Sequence, residues 1–180
     1  MRSDALRNRE RLARAAVRAV HREGIAVPMA TIAAQAGVGV ATLYRHFPTR
    51  DDLLDELTYR SFGLMLERIK HARALAGTAT ATFRMFLTAV IGDRHDMLLP
   101  STGGPAVASQ RTRAVQRHVH REIEAVIALG AEDGTIQREV NVSDIAWLGA
   151  TLAPPGRTGK AWDAIALRLL DTYLAGMGVS

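Results

Sequence analysis

Residues 24–54 read GIAVPMATIAAQAGVGVATLYRHFPTRDDLL, and this stretch decides the fold. Two short apolar-periodic segments lie on either side of Gly37-Val38-Gly39. In the first, Met29, Ile32, Ala33 and Ala36 recur three or four apart, the spacing of one helical face. In the second, Val40, Leu43 and Phe47 do the same. Gly37 stands where a helix C-terminus turns through positive φ, which glycine tolerates because it has no Cβ to clash. Two short helices joined by a glycine turn predict a helix-turn-helix, whose second helix is shaped to enter a DNA major groove.

With Leu43 and Phe47 inward, Ala41, Tyr44 and Arg45 share the outward side, flanked by Thr42 and His46. Small residues stand at its N-terminal end, where backbone must approach base edges. The Tyr, Arg and His that follow reach phosphate or base. Pro48 stops the helix. Thr49-Arg50-Asp51-Asp52 is then a capping-box pattern, with Thr49 at N-cap and Asp52 at N3. The next helix therefore begins beside the contact face, where its free N–H groups and Arg50 can hold a phosphate.

The segment IAAQAGVGVATLYRHFPTRDDLL resembles the DNA-binding signature of the tetracycline-repressor (TetR) family of bacterial regulators. The matching pieces are Ile32-Ala33, Ala36-Gly37-Val38, Thr42-Leu43-Tyr44, Phe47, and Arg50 before Leu53-Leu54. The resemblance covers residues 5 to about 54 without a gap; beyond that it rests on an all-helical pattern of suitable length. It implies that Thr42, Tyr44, His46 and Arg50 meet phosphates and that Val40 and Ala41 lie against base edges. Both of these are apolar, so they can touch a thymine methyl but donate no hydrogen bond, which leaves Arg45 as the candidate guanine reader. Ala30 matches a position where some relatives carry a polar base reader, and it cannot play that part.

Charge follows the same division. Residues 1–50 hold nine arginines against Asp4, Glu10 and Glu23, a net +6, while residues 51–180 carry a net −1. Positive charge confined to the helix-turn-helix segment is the footprint of a nucleic-acid-binding domain on a near-neutral partner. The chain has no cysteine, which excludes disulfides and thiolate metal sites. No segment approaches the ~20 apolar residues that span a bilayer, and the arginine-rich N-terminus is no signal peptide. A cytoplasmic protein with no membrane partner is expected.

Outward from the motif, residues 5–23 predict a first helix with Leu12, Ala13, Ala16, Val17 and Val20 inward. Arg7, Arg11, Arg14, Arg18 and Arg22 recur on its solvated side, and only the N-terminal arginines are expected to reach DNA backbone. Further helices are predicted over about 51–75, 80–94, 110–133, 144–152 and 160–176, with a short extra one before Ser109. The class is all-α: a three-helix helix-turn-helix head at residues 1–50 and a helical ligand-binding and dimerisation body at residues 51–180.

Within the body, Phe62, Met65, Phe83, Phe86, Leu87, Trp147 and Leu148 are candidates to line a ligand cavity. Its few polar groups would come from His118, Thr88 and Thr151. In His118-Val119-His120-Arg121-Glu122 the two histidines point different ways on a helix and make a poor metal pair. No metal and no cofactor is expected. The last helix is apolar on more than one side, with Trp162, Ile165, Leu169 and Tyr173 in one stripe. The resemblance implies that the last two helices of two subunits form a four-helix bundle, through Leu148, Leu152, Trp162, Ile165, Leu169 and Tyr173.

These readings converge on a homodimeric transcriptional regulator that binds a pseudo-palindromic DNA operator, a repressor released by a small hydrophobic effector. Two alternatives stand beside it: an architectural DNA binder without an effector, and an all-α enzyme with a borrowed head. The chain carries no G-x-S-x-G, H-E-x-x-H or G-x-x-x-x-G-K motif, so the expectation is not an enzyme.

Overall fold

The computed structural model describes residues 2–107, 109–155, 157 and 159–178, with side chains from Arg9 onward. Among them the chain forms eight α-helices, two 3₁₀ turns and no strand. Helix α1 (Arg2–Glu23) buries Leu12, Ala16, Val17 and Val20 and leaves Arg11, Arg14, Arg18 and Arg22 exposed. The side chains of Arg2 and Arg7, among the arginines expected to meet DNA, lie outside the described residues.

Helices α2 (Met29–Gln35) and α3 (Val40–His46) make the helix-turn-helix. Gly37 takes φ +65°. Its N–H donates to the Ala34 carbonyl at 3.1 Å, and the Val38 N–H donates to that of Ala33 at 3.0 Å. This pair of bonds is a Schellman closure, which satisfies the carbonyls that the end of α2 leaves open. Helix α4 (Arg50–Leu75) starts from the expected capping box: Thr49 Oγ1 accepts the Asp52 N–H at 3.0 Å, and the Asp52 carboxylate accepts the Thr49 N–H at 3.0 Å.

The body adds α5 (Ala79–Asp93), α6 (Gln110–Glu132), α7 (Val142–Leu152) and α8 (Lys160–Gly176). Over the described residues 104–107 the short helix expected before Ser109 does not form, and Ala108 lies outside the described residues. A 3₁₀ turn at Pro100–Thr102 precedes that point instead. Pro100 and Pro105 lack N–H donors, Gly103 takes φ +85°, and a Cβ on Gly104 would lie 2.7 Å from the Leu99 carbonyl oxygen. The segment is thereby fixed as a tight turn.

Two apolar cores result. One joins α1, α2, α3 and the first two turns of α4, through Leu53, Leu54 and Leu57, with Leu98 closing it. The other joins the rest of α4 to α5, α6, α7 and α8. Helix α4 is thus common to both, and it packs along α5 and α6. Among the described residues no helix is long and apolar enough to cross a membrane.

Candidate nucleic-acid interface and internal cavity

Helix α3 is seven residues long and presents one side to solvent. Leu43 and the following Phe47 are buried at 0% and 1% exposure, which fixes the rotation of the helix. Val40, Ala41, Tyr44 and Arg45 are therefore exposed, with Thr42 and His46 half-buried at the edges. Arg45 curls along its own helix, donating from Nη2 to Thr42 Oγ1 at 3.2 Å and from Nε to the Ala41 carbonyl at 3.4 Å. Arg50, in the first turn of α4, donates to the Ile25 carbonyl at 2.8 Å. It is anchored to the α1–α2 connection beside the α4 N-terminus. Of the sequence-expected residues, Val40, Ala41, Tyr44 and Arg45 share the exposed side of α3, Thr42 and His46 edge it, and Arg50 lies in the first turn of α4. Arg45 is held only by weak bonds within its own turn, and Arg50 is part of the scaffold.

The body encloses a cavity of about 180 Å³. Phe62 and Met65 from α4 and Phe86 and Leu87 from α5 line it, as expected. Four other candidates lie elsewhere, Leu148 among them, buried in the core off the wall. Phe83 is fully buried one turn away in solid core. His118 is on the solvent side of α6, and His120 takes its place at the wall. Trp147 is 67% exposed on the outside of α7. Thr88 and Thr151 are also absent from the wall, Thr151 bonding the Trp147 carbonyl at 2.8 Å.

The polar groups at the cavity are Arg94, Ser101, Thr102, Gln116 and His120. Arg94 is 4% exposed and fully engaged. It donates to Asp163 at 2.7 Å, to the Arg157 carbonyl at 3.0 Å and to the Ile91 carbonyl. Gln116 and His120, one turn apart on α6, make no hydrogen bond to any described group. With Ser101, they are the uncommitted polar groups of a mostly apolar chamber.

The residues expected at a dimer contact divide. Leu148 and Leu152 are buried at 9% and 2% in the chain's own core, and Trp162 is half-buried with its indole N–H on the Leu152 carbonyl at 3.1 Å. Ile165, Leu169 and Tyr173 face outward at 38%, 49% and 39% exposure. The α8 face turned in is instead Ala166, Leu170 and Leu174.

Comparison with known proteins agrees with this geometry. Residues 12–57 match the family described as bacterial regulatory proteins, tetR family. An HTH-type transcriptional regulator of Staphylococcus aureus is 34% identical over 74 residues, which is 41% of this chain and 40% of that protein. The match therefore spans well under half of that relative. A TetR transcriptional regulator from Streptomyces coelicolor superposes with a TM-score of 0.59 at 26% identity, covering 96% of this chain and 99% of the other. The ketosteroid transcriptional regulator KstR2 of Mycobacterium tuberculosis superposes with a TM-score of 0.72 over 97% and 96% of the two chains. At 18% identity that likeness is one of fold.

Proposed function

We propose, from the tetR-family match of residues 12–57 and the likeness to a TetR regulator over nearly the whole chain, that this is a tetR-family DNA-binding transcriptional regulator, a repressor released by a small ligand. The observation that carries the first part is the outward face of α3, Ala41-Tyr44-Arg45, set beside the anchored Arg50 on a head of net +6. Division into a DNA-binding head and a regulatory body is proposed along the two cores, with α4 shared between them. Two heads carried by a homodimer would meet successive major grooves, so the operator is pseudo-palindromic.

Selection from random duplex DNA tests this reading. The expected result is an inverted repeat bound with a slope of log K on log salt of about −0.9 for each phosphate neutralised. Recovery of no duplex would reject it.

The effector site is proposed to be the body cavity. Its wall is mostly apolar, and ligand sites of this kind use a few polar groups to fix orientation. Gln116 and His120 supply those groups, because Arg94 is already paired with Asp163. The ligand class is a largely hydrophobic, uncharged or weakly charged organic molecule with one hydrogen-bonding group. A thermal-shift screen followed by operator release tests it. Hits confined to phosphate esters would reject it.

A further inference from the structure

Glu56 lies in the second turn of α4 with its side chain 7% exposed. Its Oε1 accepts from Arg60 Nε at 2.9 Å, a bond that stays within α4. Its Oε2 is shared by two arginines from opposite parts of the molecule. Arg9 of α1 reaches it at 3.0 Å, and Arg111 of α6 donates to it at 2.9 Å. Arg9 also stands over the Phe47 ring, 5.5 Å from its centroid, at the end of the helix that faces DNA. On the body side, Arg111 donates to Asp55 from Nη2 at 3.1 Å and packs over Tyr59 at 4.7 Å, and Thr112 donates to the other Asp55 oxygen at 2.9 Å.

Burial by itself would raise the Glu56 carboxyl. Hydrogen bonds from Arg60 and Arg111 and the charges of Arg9 and Arg60 outweigh it and hold the group below its ordinary value. A buried carboxylate that loses one of its cations is left under-compensated, so such a cluster favours one geometry over loosened ones.

We propose that Glu56 is the joint of an ion clasp, Arg9–Glu56–Arg111, that fixes the DNA-binding head on the body and is opened through α6 when the cavity fills. The idea rests on the regulator reading above and supplies its mechanism. Gln116 and His120 stand on α6 in the cavity wall. Gln116 is only about 7.5 Å of helix rise beyond Arg111. A ligand that displaces this part of α6 moves Arg111 away from Glu56. Arg9 and Phe47 then lose their tie to the body, and the head is free to leave its DNA-competent setting. A ligand shifts such an equilibrium only by its differential affinity for the two arrangements, and the cavity and the clasp share the helix that makes the difference.

The test uses the full chain. Because the protein has no cysteine, Arg18→Cys on α1 and Glu132→Cys on α6, both exposed, take nitroxide labels at defined places. The doubly labelled chain, diluted into excess unlabelled protein, gives the head-to-body distance distribution. It should be narrow in the wild type and broad in Arg111→Gln, and Arg9→Gln should broaden it likewise from the head side. Arg60→Gln removes a Glu56 partner that bridges nothing and should leave the distribution narrow. Operator affinity of Arg111→Gln should fall on the order of tenfold, inside the usual range of site-to-site couplings. Wild-type distributions in both Arg111→Gln and Arg9→Gln would overturn the clasp, as would equal broadening in Arg60→Gln. If the wild type selects no duplex, the regulator reading fails separately, and the distance measurement still decides whether the clasp holds the head.

Discussion

Arg45 and Arg50 carry the same charge in different settings, and their loss should be told apart. Arg45 is bonded only along its own turn, so it can extend to a base edge. Arg45→Ala should relax preference at one operator position, at a cost of roughly 1–3 kcal/mol there. Arg50 is held by the Ile25 carbonyl beside the α4 N-terminus, and its proposed contact is to phosphate. Arg50→Ala should weaken all duplexes alike and flatten the salt dependence of binding. Competition binding against single-base operator variants at several salt concentrations checks both, and exchanged patterns would reverse the roles. Gly37 gives a purely conformational case: its φ is +65° and nothing lies within 4 Å of a built Cβ. Gly37→Ala should therefore cost about 1–2 kcal/mol from backbone conformation alone, read by urea unfolding. That glycine was legible from its place after an apolar-periodic segment. The cavity histidine was not. His118 and His120 are two residues apart on α6 and face different ways, so periodicity says that one turns in without saying which. The neighbouring α5 and α7 walls decide for His120.

Helix α4 starts from a local device and is held by a distant one. The capping box at Thr49 and Asp52 is a four-residue pattern, so sequence alone revealed it. Thr49→Ala should destabilise by about 1 kcal/mol, measured as a shift of the urea midpoint at unchanged slope. The ion cluster a turn later was invisible. No local pattern marks Asp55, Glu56 and Arg111, and their pairing spans 55 and 56 positions of chain. Only the crossing of α4 and α6 brings them together. Burial acts to raise both carboxyls. For Asp55, bonds from Ser109, Thr112 and Arg111 win and lower it; for Glu56, Arg60, Arg111 and Arg9 do so. Carboxylates depressed in the folded state stabilise it fully above their ordinary values, 3.8 and 4.5, and that stabilisation is lost as pH falls through the lower folded values. Arg9, Arg111, His46 and Asp52 line the same cleft, and Arg60 bonds Glu56 from within α4. Stability should thus decline with acidification below pH 4.5, and Glu56→Gln should reduce that slope. Chemical denaturation of both proteins at a series of acid pH values checks it, and equal slopes would show that Glu56 contributes nothing to the linkage.

At the scale of the whole molecule, the eight helices of the described residues enclose two cores, and what they leave uncovered matters as much as what they bury. Single exposed apolar side chains need no explanation. Here Trp147 on α7 and Ile165, Leu169 and Tyr173 on α8 are exposed together on two helices packed against each other. The sequence showed that α8 is apolar on more than one side; it did not show which side the body would claim. The body claims Ala166, Leu170 and Leu174, along with Leu148 and Leu152 of α7. The remaining stripe fits a second copy of this chain. A twofold axis would set each patch against itself, so one substitution is felt twice. Leu169→Arg should give monomers in sedimentation velocity at micromolar concentration, where the wild type should be a dimer. It should also abolish tight operator binding, because two linked heads engage two half-sites with an effective concentration that separate heads lack. Tryptophan emission gives a second readout. Of the two tryptophans, Trp162 is half-buried with its N–H on a carbonyl, while Trp147 is 67% exposed in the single chain. In the dimer Trp147 would be covered and emit to the blue; in Leu169→Arg it should shift to the red. A wild-type monomer, or a Trp147 emission indifferent to Leu169→Arg, would show that this face is open to solvent and that the two heads are not joined through it.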